Sequence, residues 1–356
     1  SRLYGQIVDA WQITLAGVGP SGLDKGKGAK ILLLPPGYKK DIPAGYVSMQ
    51  STTYRVGFAF RSVREPGATV EEAYAYSKTL KMYPLSTAAN PKKQRFFDTP
   101  RTVHTLPPYG FETLEQIKQF IDTEPVQPRD KVMMGMLASL GIVKGKPFNP
   151  EARLKDAMIR GVHDAYFYMQ ELNDKRFAEN LYWPNRQWSM VMKPDARRGF
   201  SFEDATTILI DDRAAAWNFF CYYPKVLSDK TGTVYLAPIA DDKGRLLEAG
   251  KNYKITIPKD IPAEQFWSLT MYDHATWSFI NNELDRSGLS TFEKDKMKVN
   301  KDGSVDLYFG PTAPKGMESN WLPTEGKYPY LWLRLYGPGK AFWDKTFVMP
   351  DVKRLD

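Results

Sequence analysis

The last third of the chain most tightly limits what it can fold into. Phe266-Trp267-Ser268-Leu269-Thr270-Met271-Tyr272-Asp273, Asn320-Trp321-Leu322-Pro323 and Leu331-Trp332-Leu333-Arg334-Leu335-Tyr336-Gly337-Pro338 each alternate residue types with period two. Successive side chains of a strand point to opposite faces, so these blocks predict strands whose two faces differ. Val234 to Pro238, Tyr253 to Pro258 and Ser304 to Phe309 add short strands. The turns Asp242-Lys243-Gly244 and Asp302-Gly303 separate them. Short strands at near-regular spacing predict a sandwich or jelly-roll barrel.

Upstream the pattern changes twice. Leu3 to Ile13, Lys30 to Leu34 and Val47 to Arg61 predict strands, the last with Tyr54, Val56, Phe58 and Phe60 on one face. Gly17-Val18-Gly19-Pro20-Ser21-Gly22 satisfies G-x-G-x-x-G, but Leu23-Asp24-Lys25-Gly26 does not open an apolar helix. A dinucleotide site is therefore not expected, and the stretch reads as a mobile loop. Helices begin at Thr69, where Thr69-Val70-Glu71-Glu72 forms a capping box. They continue over Phe111 to Phe120, Arg129 to Leu140, Pro150 to Leu172 and Phe202 to Tyr223.

At this point the chain resembles a known family. The order Tyr253 to Pro258, Phe266 to Asp273, Asp302-Gly303-Ser304, Asn320 to Pro323 and Arg334 to Pro338 resembles the bacterial domain of unknown function 1214. Leu32 to Tyr38 and Tyr83-Pro84-Leu85 resemble its usual partner, domain of unknown function 1254. The resemblance implies a mainly β protein with a helical insert (α+β), made of two jelly-roll-like β-barrel or sandwich domains in tandem. The divisions expected are 1–68 for a partial N-terminal barrel, 69–200 for a helical connector and 201–356 for the C-terminal jelly roll. Family members carry a further segment before the strand at Leu3, so the first barrel is expected to be incomplete. The resemblance also implies an exported bacterial protein, periplasmic or secreted, that forms a homo-oligomer. It brings no secure activity.

Composition narrows the function classes. At 42% apolar and 13% aromatic residues, 356 residues suffice for a sizeable core. The net charge is +8, but the basic residues occur in small groups such as Lys25, Lys27, Lys30 and Lys92, Lys93, Arg95. No long basic run and no zinc-finger or RNA-recognition signature accompanies them, so a nucleic-acid partner is not expected. Cys221 is the single cysteine and excludes an intrachain disulfide; among Phe219, Phe220 and Tyr222 it reads as buried and inert. Val132 to Val143, the longest apolar run, is too short to span a bilayer and reads as a buried helix.

The chemistry-bearing residues are few. His104, His163 and His274 stand in separate segments, so neither a histidine-rich metal site nor any cofactor is expected. No nucleophile elbow, zincin helix or Walker loop is present. Polar residues embedded in aromatic segments are more informative: Arg213, Tyr272, Asp273, Asn282, Arg286, Asn320, Arg334 and Tyr336. A charge inside an apolar strand must be paired or must face a cavity. Arg334 is thus either half of a buried Arg–Asp brace or the guanidinium of an aromatic pocket. Trp321, Trp267 and Trp332 are either core or sugar-stacking rings.

Three function classes stay open. The first is binding of a small polar, anionic or glycan-like ligand in the C-terminal barrel by Arg213, Tyr272, Asn320, Trp321, Arg334 and Tyr336. The second is a hydrolase or lyase with Asp273 as base, His274 as an alternative proton carrier and Arg286 or Arg334 as electrophile. The third is a structural oligomer.

Overall fold

A computed structural model of the chain describes residues 3–20, 22–65, 67–98, 107–190, 202–219, 232–238 and 240–356. The protein is mixed α+β, with 27% helix and 26% strand among the described residues. It divides into two compact units, the first running to Tyr166 and the second beginning at Phe167.

In the first unit β1 (Leu3–Asp9) lies between β2 (Thr14–Val18) and β5 (Val56–Ser62), both antiparallel to it. A separate parallel pair joins β3 (Ile31–Leu34) to β4 (Val47–Gln50). The strand expected over Val47 to Arg61 is therefore two strands. The break follows from polar clamps: Thr53 Oγ1 accepts from Ala10 N at 2.9 Å, and the carboxylate of buried Glu124 accepts from Tyr54 N and Arg55 N at 2.6 and 3.1 Å. Backbone groups taken by side chains leave the ladder. Leu3, Ile7 and Val18 form the buried centre beneath the sheet, with Tyr76 and Leu80 packed against it.

Helix α1 (Val70–Ser77) starts at the expected capping box, Glu72 N donating to Thr69 Oγ1 and Thr69 N to the Glu72 carboxylate. Helices α2 (Phe111–Thr123) and α3 (Lys131–Ser139) follow. Lys144 Nζ closes the C-terminal end of α2 by donating to the carbonyls of Ile121, Asp122 and Glu124. The expectation that Val132 to Val143 is a buried helix is overturned. Only Met134 and Leu137 of α3 rest against the Phe111, Leu114 and Ile121 core. Val132 is 75% exposed, and Met133 and Met136 are exposed too. An all-round apolar helix needs cover on every side, and the first unit offers it one stripe.

The glycine-rich segment opens no helix and folds around one carboxylate. Asp24, buried at its centre, accepts from Gly19 N at 2.7 Å and Gly28 N at 3.1 Å. Gly19 sits at φ +113, a conformation an L side chain rarely adopts.

Helix α4 (Ala152–Glu179) leads into the second unit, followed by β6 (Trp188–Met190), α5 (Ile210–Phe219), β7 (Thr233–Pro238), β8 (Tyr253–Ile257) and β9 (Ala263–Asp273). Then come β10 (Gly288–Ser290), β11 (Val305–Gly310), β12 (Trp321–Pro323), β13 (Pro329–Pro338), α6 (Lys340–Trp343) and β14 (Lys353–Arg354). The helix expected from Phe202 begins only at Ile210, because Asp204 Oδ1 accepts from Thr206 N and Thr207 N and holds the preceding residues in a turn.

Two open sheets form here, in the orders β10-β9-β13-β7-β6 and β12-β11-β8-β14. No sheet closes on itself among the described residues, which corrects the expected barrels. One core nonetheless serves both sheets. It joins Trp267, Leu269, Met271, Leu331, Leu333 and Leu335 to Tyr253, Ile255, Ile257, Val305, Leu307 and Phe309. The short edge strands β10 and β6 leave the first sheet without a partner long enough to complete a ring.

Two stability predictions follow from these cores. Leu333→Ala, at a fully buried position of the central strand, should cost about 2–5 kcal/mol in urea unfolding. Val132→Ala should stay within about 0.5 kcal/mol, and a core-sized loss there would contradict the exposed helix. In the second unit Tyr182 donates to Phe342 O at 2.8 Å, and burial, with Asp344 adding its charge, pushes its phenol up to about 12. An unfolded tyrosine ionises near pH 10. Stability should therefore hold below about pH 10 and fall as pH rises toward about 12, a decline that Tyr182→Phe should flatten in pH-resolved unfolding.

Candidate functional site

Strand β13 is the middle strand of its sheet and has two unlike faces. Its leucines enter the shared core, while Tyr330, Trp332, Arg334 and Tyr336 take the opposite face. Register sets their neighbours: Arg334 lies between Ser268 of β9 and Tyr235 of β7, and Trp332 is opposite Thr270. By the same parity Phe266, Ser268, Thr270 and Tyr272 join this face from β9. Phe177 of α4 covers one end, with ring centroids 6.0 Å from Tyr330 and 5.9 Å from Trp332.

Arg334 is half-buried, and its guanidinium carbon lies 5.1 Å from the Tyr235 ring centre and 5.8 Å from that of Tyr272. Nη2 donates to the Tyr272 hydroxyl. Nε is buried without a hydrogen-bond partner, and among the described residues no carboxylate reaches ion-pair distance of the group. The Arg–Asp brace, one of the two readings open for Arg334, is absent. Instead an aromatic enclosure surrounds a cation. Tyr272 meets Phe279 at 4.7 Å, and Tyr336 stacks on Phe266 at 4.0 Å.

The remaining sequence candidates go elsewhere. Asp273 has core-facing parity and is 5% exposed. Its carboxylate accepts from Ala275 N at 3.1 Å and Thr276 Oγ1 at 3.0 Å, and Lys327 stands 3.5 Å away. These contacts fix the turn that places Trp277 at φ 55, and they hold the Asp273 carboxylate within it. His274 turns away from Asp273 and meets Asp174 of α4 through Nε2 at 2.9 Å, while Gln170 Nε2 donates to its carbonyl at 3.0 Å. Gln170, Asp174 and Phe177 lie on one side of α4, so that helix is tied to the aromatic face at three points.

Arg286, Asn320 and Trp321 come together, but as a brace. Arg286 Nη1 donates to Glu318 O at 2.6 Å and Trp321 O at 3.2 Å. Asn320 is fully buried: Oδ1 accepts from Lys298 N, and Nδ2 donates to Lys298 O and Asp306 O. Trp321 Nε1 donates to Gly310 O at 3.2 Å. Asn282 is used locally, its carboxamide bonded to both the N–H and the carbonyl of Arg286. Arg213 is exposed on α5, beside Asp212, which pairs with Arg176. Only Arg334, Tyr272 and Tyr336 of the expected ligand set therefore share a face. Tyr235 and Phe177 complete it and were not foreseen. Tyr235 carried a signal in the alternation of Val234-Tyr235-Leu236, but its pairing with β13 is non-local.

Among the described residues no three His, Cys, Asp or Glu side chains gather closely enough to hold a metal ion. His104 and Cys221 lie outside the described residues. No described helix is long and apolar enough to cross a membrane. A concavity of about 300 Å³ opens at the other sheet, lined by Thr256, Lys259, Asp260 and Asp302, away from the arginine. It joins two acidic side chains to one lysine and holds no aromatic wall, so the chemistry points to the Arg334 face instead.

Two family models match the chain, "Protein of unknown function (DUF1254)" over residues 2–84 and "Protein of unknown function (DUF1214)" over residues 232–340. The chain belongs to the tandem DUF1254/DUF1214 family. The crystal structure of the VPA0106 protein from Vibrio parahaemolyticus is similar, with a TM-score of 0.56 and 18% identity. That match covers 99% of this chain and 82% of the Vibrio one, and it speaks for the fold alone. A putative uncharacterized protein from Burkholderia cenocepacia matches at 12% identity over 64% of this chain and 49% of its own. Its TM-score of 0.25 carries no structural argument. No curated protein matches. Tyr235, Tyr272, Arg334 and Tyr336 lie within the DUF1214 match, and Phe177 of α4 lies outside it.

The brace makes its own prediction. Asn320→Ala takes its partner from three partly buried backbone groups, which should cost about 3 kcal/mol in urea unfolding. A loss below about 1 kcal/mol would mean that the carboxamide is not structural.

Proposed function

We propose that the protein binds a small anionic ligand on the aromatic face of the five-stranded sheet, with Arg334 as the charge that anchors it. The supporting observation is a half-buried guanidinium that, among the described residues, has no carboxylate in reach, keeps one buried N–H unpaired and donates to the Tyr272 hydroxyl. Arginine keeps its charge at ordinary pH, so it cannot escape desolvation by losing a proton. Two flanking rings return about 0.5–2 kcal/mol each through their π faces, which offsets only part of the cost of burying a cation. An oxyanion supplies the rest and takes the donors that the protein leaves free. The rings of Tyr235, Tyr272 and Tyr336 add contact area for a ligand of modest size. Asp273 is committed to its turn, so the face offers binding chemistry without an evident base.

Arg334→Met separates ligand anchor from structural brace, because it keeps length and removes charge. Thermal-shift and calorimetric titration against carboxylates and phosphates should find a ligand for the native protein. Loss of the charge-assisted contact should weaken it by about tenfold to a hundredfold. The ligand-free variant should melt at the same temperature or higher, as expected where an uncompensated charge gives way to an apolar group. A variant that binds as well as the native protein, or that loses several kcal/mol of stability, would sink the reading.

A further inference from the structure

The protein's excess of positive charge is uneven. Over the first 98 residues lysine and arginine outnumber aspartate and glutamate two to one. Within that stretch Lys81, Lys92, Lys93 and Arg95 are all exposed. Large apolar side chains stand among them: Phe97 is 80% exposed, Met82 66% and Phe96 45%. The arrangement is held in place. Met82 N donates to Gln94 Oε1 at 2.9 Å, which sets Lys81 and Met82 beside the Lys92 to Phe97 segment. Thr87 N and Ala88 N close the intervening turn on Pro84 O and Leu85 O. Arg95 leans on the Phe97 ring at 5.5 Å, and Lys78 adds a further cation 4.0 Å from the Tyr74 ring. The adjoining acid, Asp98, is taken up by the Tyr74 hydroxyl at 2.7 Å.

Scattered single hydrophobes on a surface need no explanation, but three at this exposure beside exposed cations do. The core of the first unit does not reach them: Leu3, Ile7 and Val18 gather Tyr76 and Leu80 but neither Met82 nor Phe97. The combination fits a lipid surface. Basic groups near an anionic bilayer each gain about fivefold in partitioning, and aromatic and thioether side chains gain by entering the acyl boundary. Met82 and the partly exposed Leu85 give a nucleic acid nothing to stack on, and they favour hydrocarbon.

We propose that this corner of the first unit, built by Lys81, Met82, Lys92, Lys93, Arg95 and Phe97, docks on an anionic lipid surface. The test is co-sedimentation of the full chain with vesicles of phosphatidylcholine alone, and with vesicles of equal parts phosphatidylcholine and phosphatidylglycerol. The protein should pellet only with the anionic vesicles and should be released by salt. Reversing three charges (K92E, K93E and R95E together) should lower partitioning by on the order of a hundredfold. F96S with F97S should lower it by about tenfold or more. Both variants should keep the native melting temperature, since the altered side chains are exposed; a single F97S serves if either does not. The proposal is overturned if the native chain ignores anionic vesicles, or if binding survives either set of substitutions. Tighter binding to a single-stranded oligonucleotide or to polyglutamate than to the vesicles also overturns it.

Discussion

The second unit depends on one strand carrying two incompatible surfaces. Strand β13 is paired along its length with β9 on one edge and over Leu333 to Tyr336 with β7 on the other, so around Arg334 the ladder holds its position on both sides. One face can then be given wholly to leucine, burying Leu331, Leu333 and Leu335 in the core shared by the two sheets. The other face is free to hold an arginine between tyrosines, at a cost that the apolar side covers. A shift of one residue in register would exchange the faces, putting Arg334 in the core and a leucine outside. That penalty pins the register and thereby places Arg334 opposite Ser268 and Tyr235.

Much of this was legible because it is local. Period-two alternation identified β7, β8, β9, β11 and β13, and the capping box at Thr69 marked the start of α1 to the residue. Closure was not legible. Alternation says that a strand has two faces, but whether a sheet curls into a ring depends on strand length and edge partners, and β6 and β10 each have only three residues. The apolar run at Val132 misled for a related reason. Hydrophobicity shows what a helix would gain from burial, while the number of neighbours available to bury it is set elsewhere in the chain.

The candidate site shows the same division more sharply. A polar residue inside an apolar segment is conspicuous whether it greets a ligand or holds the backbone together. Asn320 stands directly before Trp321-Leu322 and Arg334 between Leu333 and Leu335, so each is a polar residue beside apolar ones in sequence. In the structure Asn320 spends its carboxamide on the backbone of Lys298 and Asp306, whereas Arg334 keeps donors in reserve. The partners that decide between these roles come from 14 to 62 residues away along the chain, beyond what local pattern can report.

Cations beside aromatic rings occur in both units, and their surroundings give them different work. Arg95 leans on Phe97 in open solvent, where water screens the charge and the pairing itself contributes little. Its value lies in the surface that cation and ring present jointly, positive and greasy at once. Arg334 sits between Tyr235 and Tyr272 with much of its hydration removed, so every missing partner carries an energetic cost. Desolvation turns the same chemical pair from an adhesive into a selective anchor. A half-buried guanidinium rewards an anion that fits its donors and penalises a neutral isostere that leaves them empty. On the two proposals made above, the face around Arg334 would discriminate among small ligands and the exposed corner around Phe97 would hold a broad charged surface.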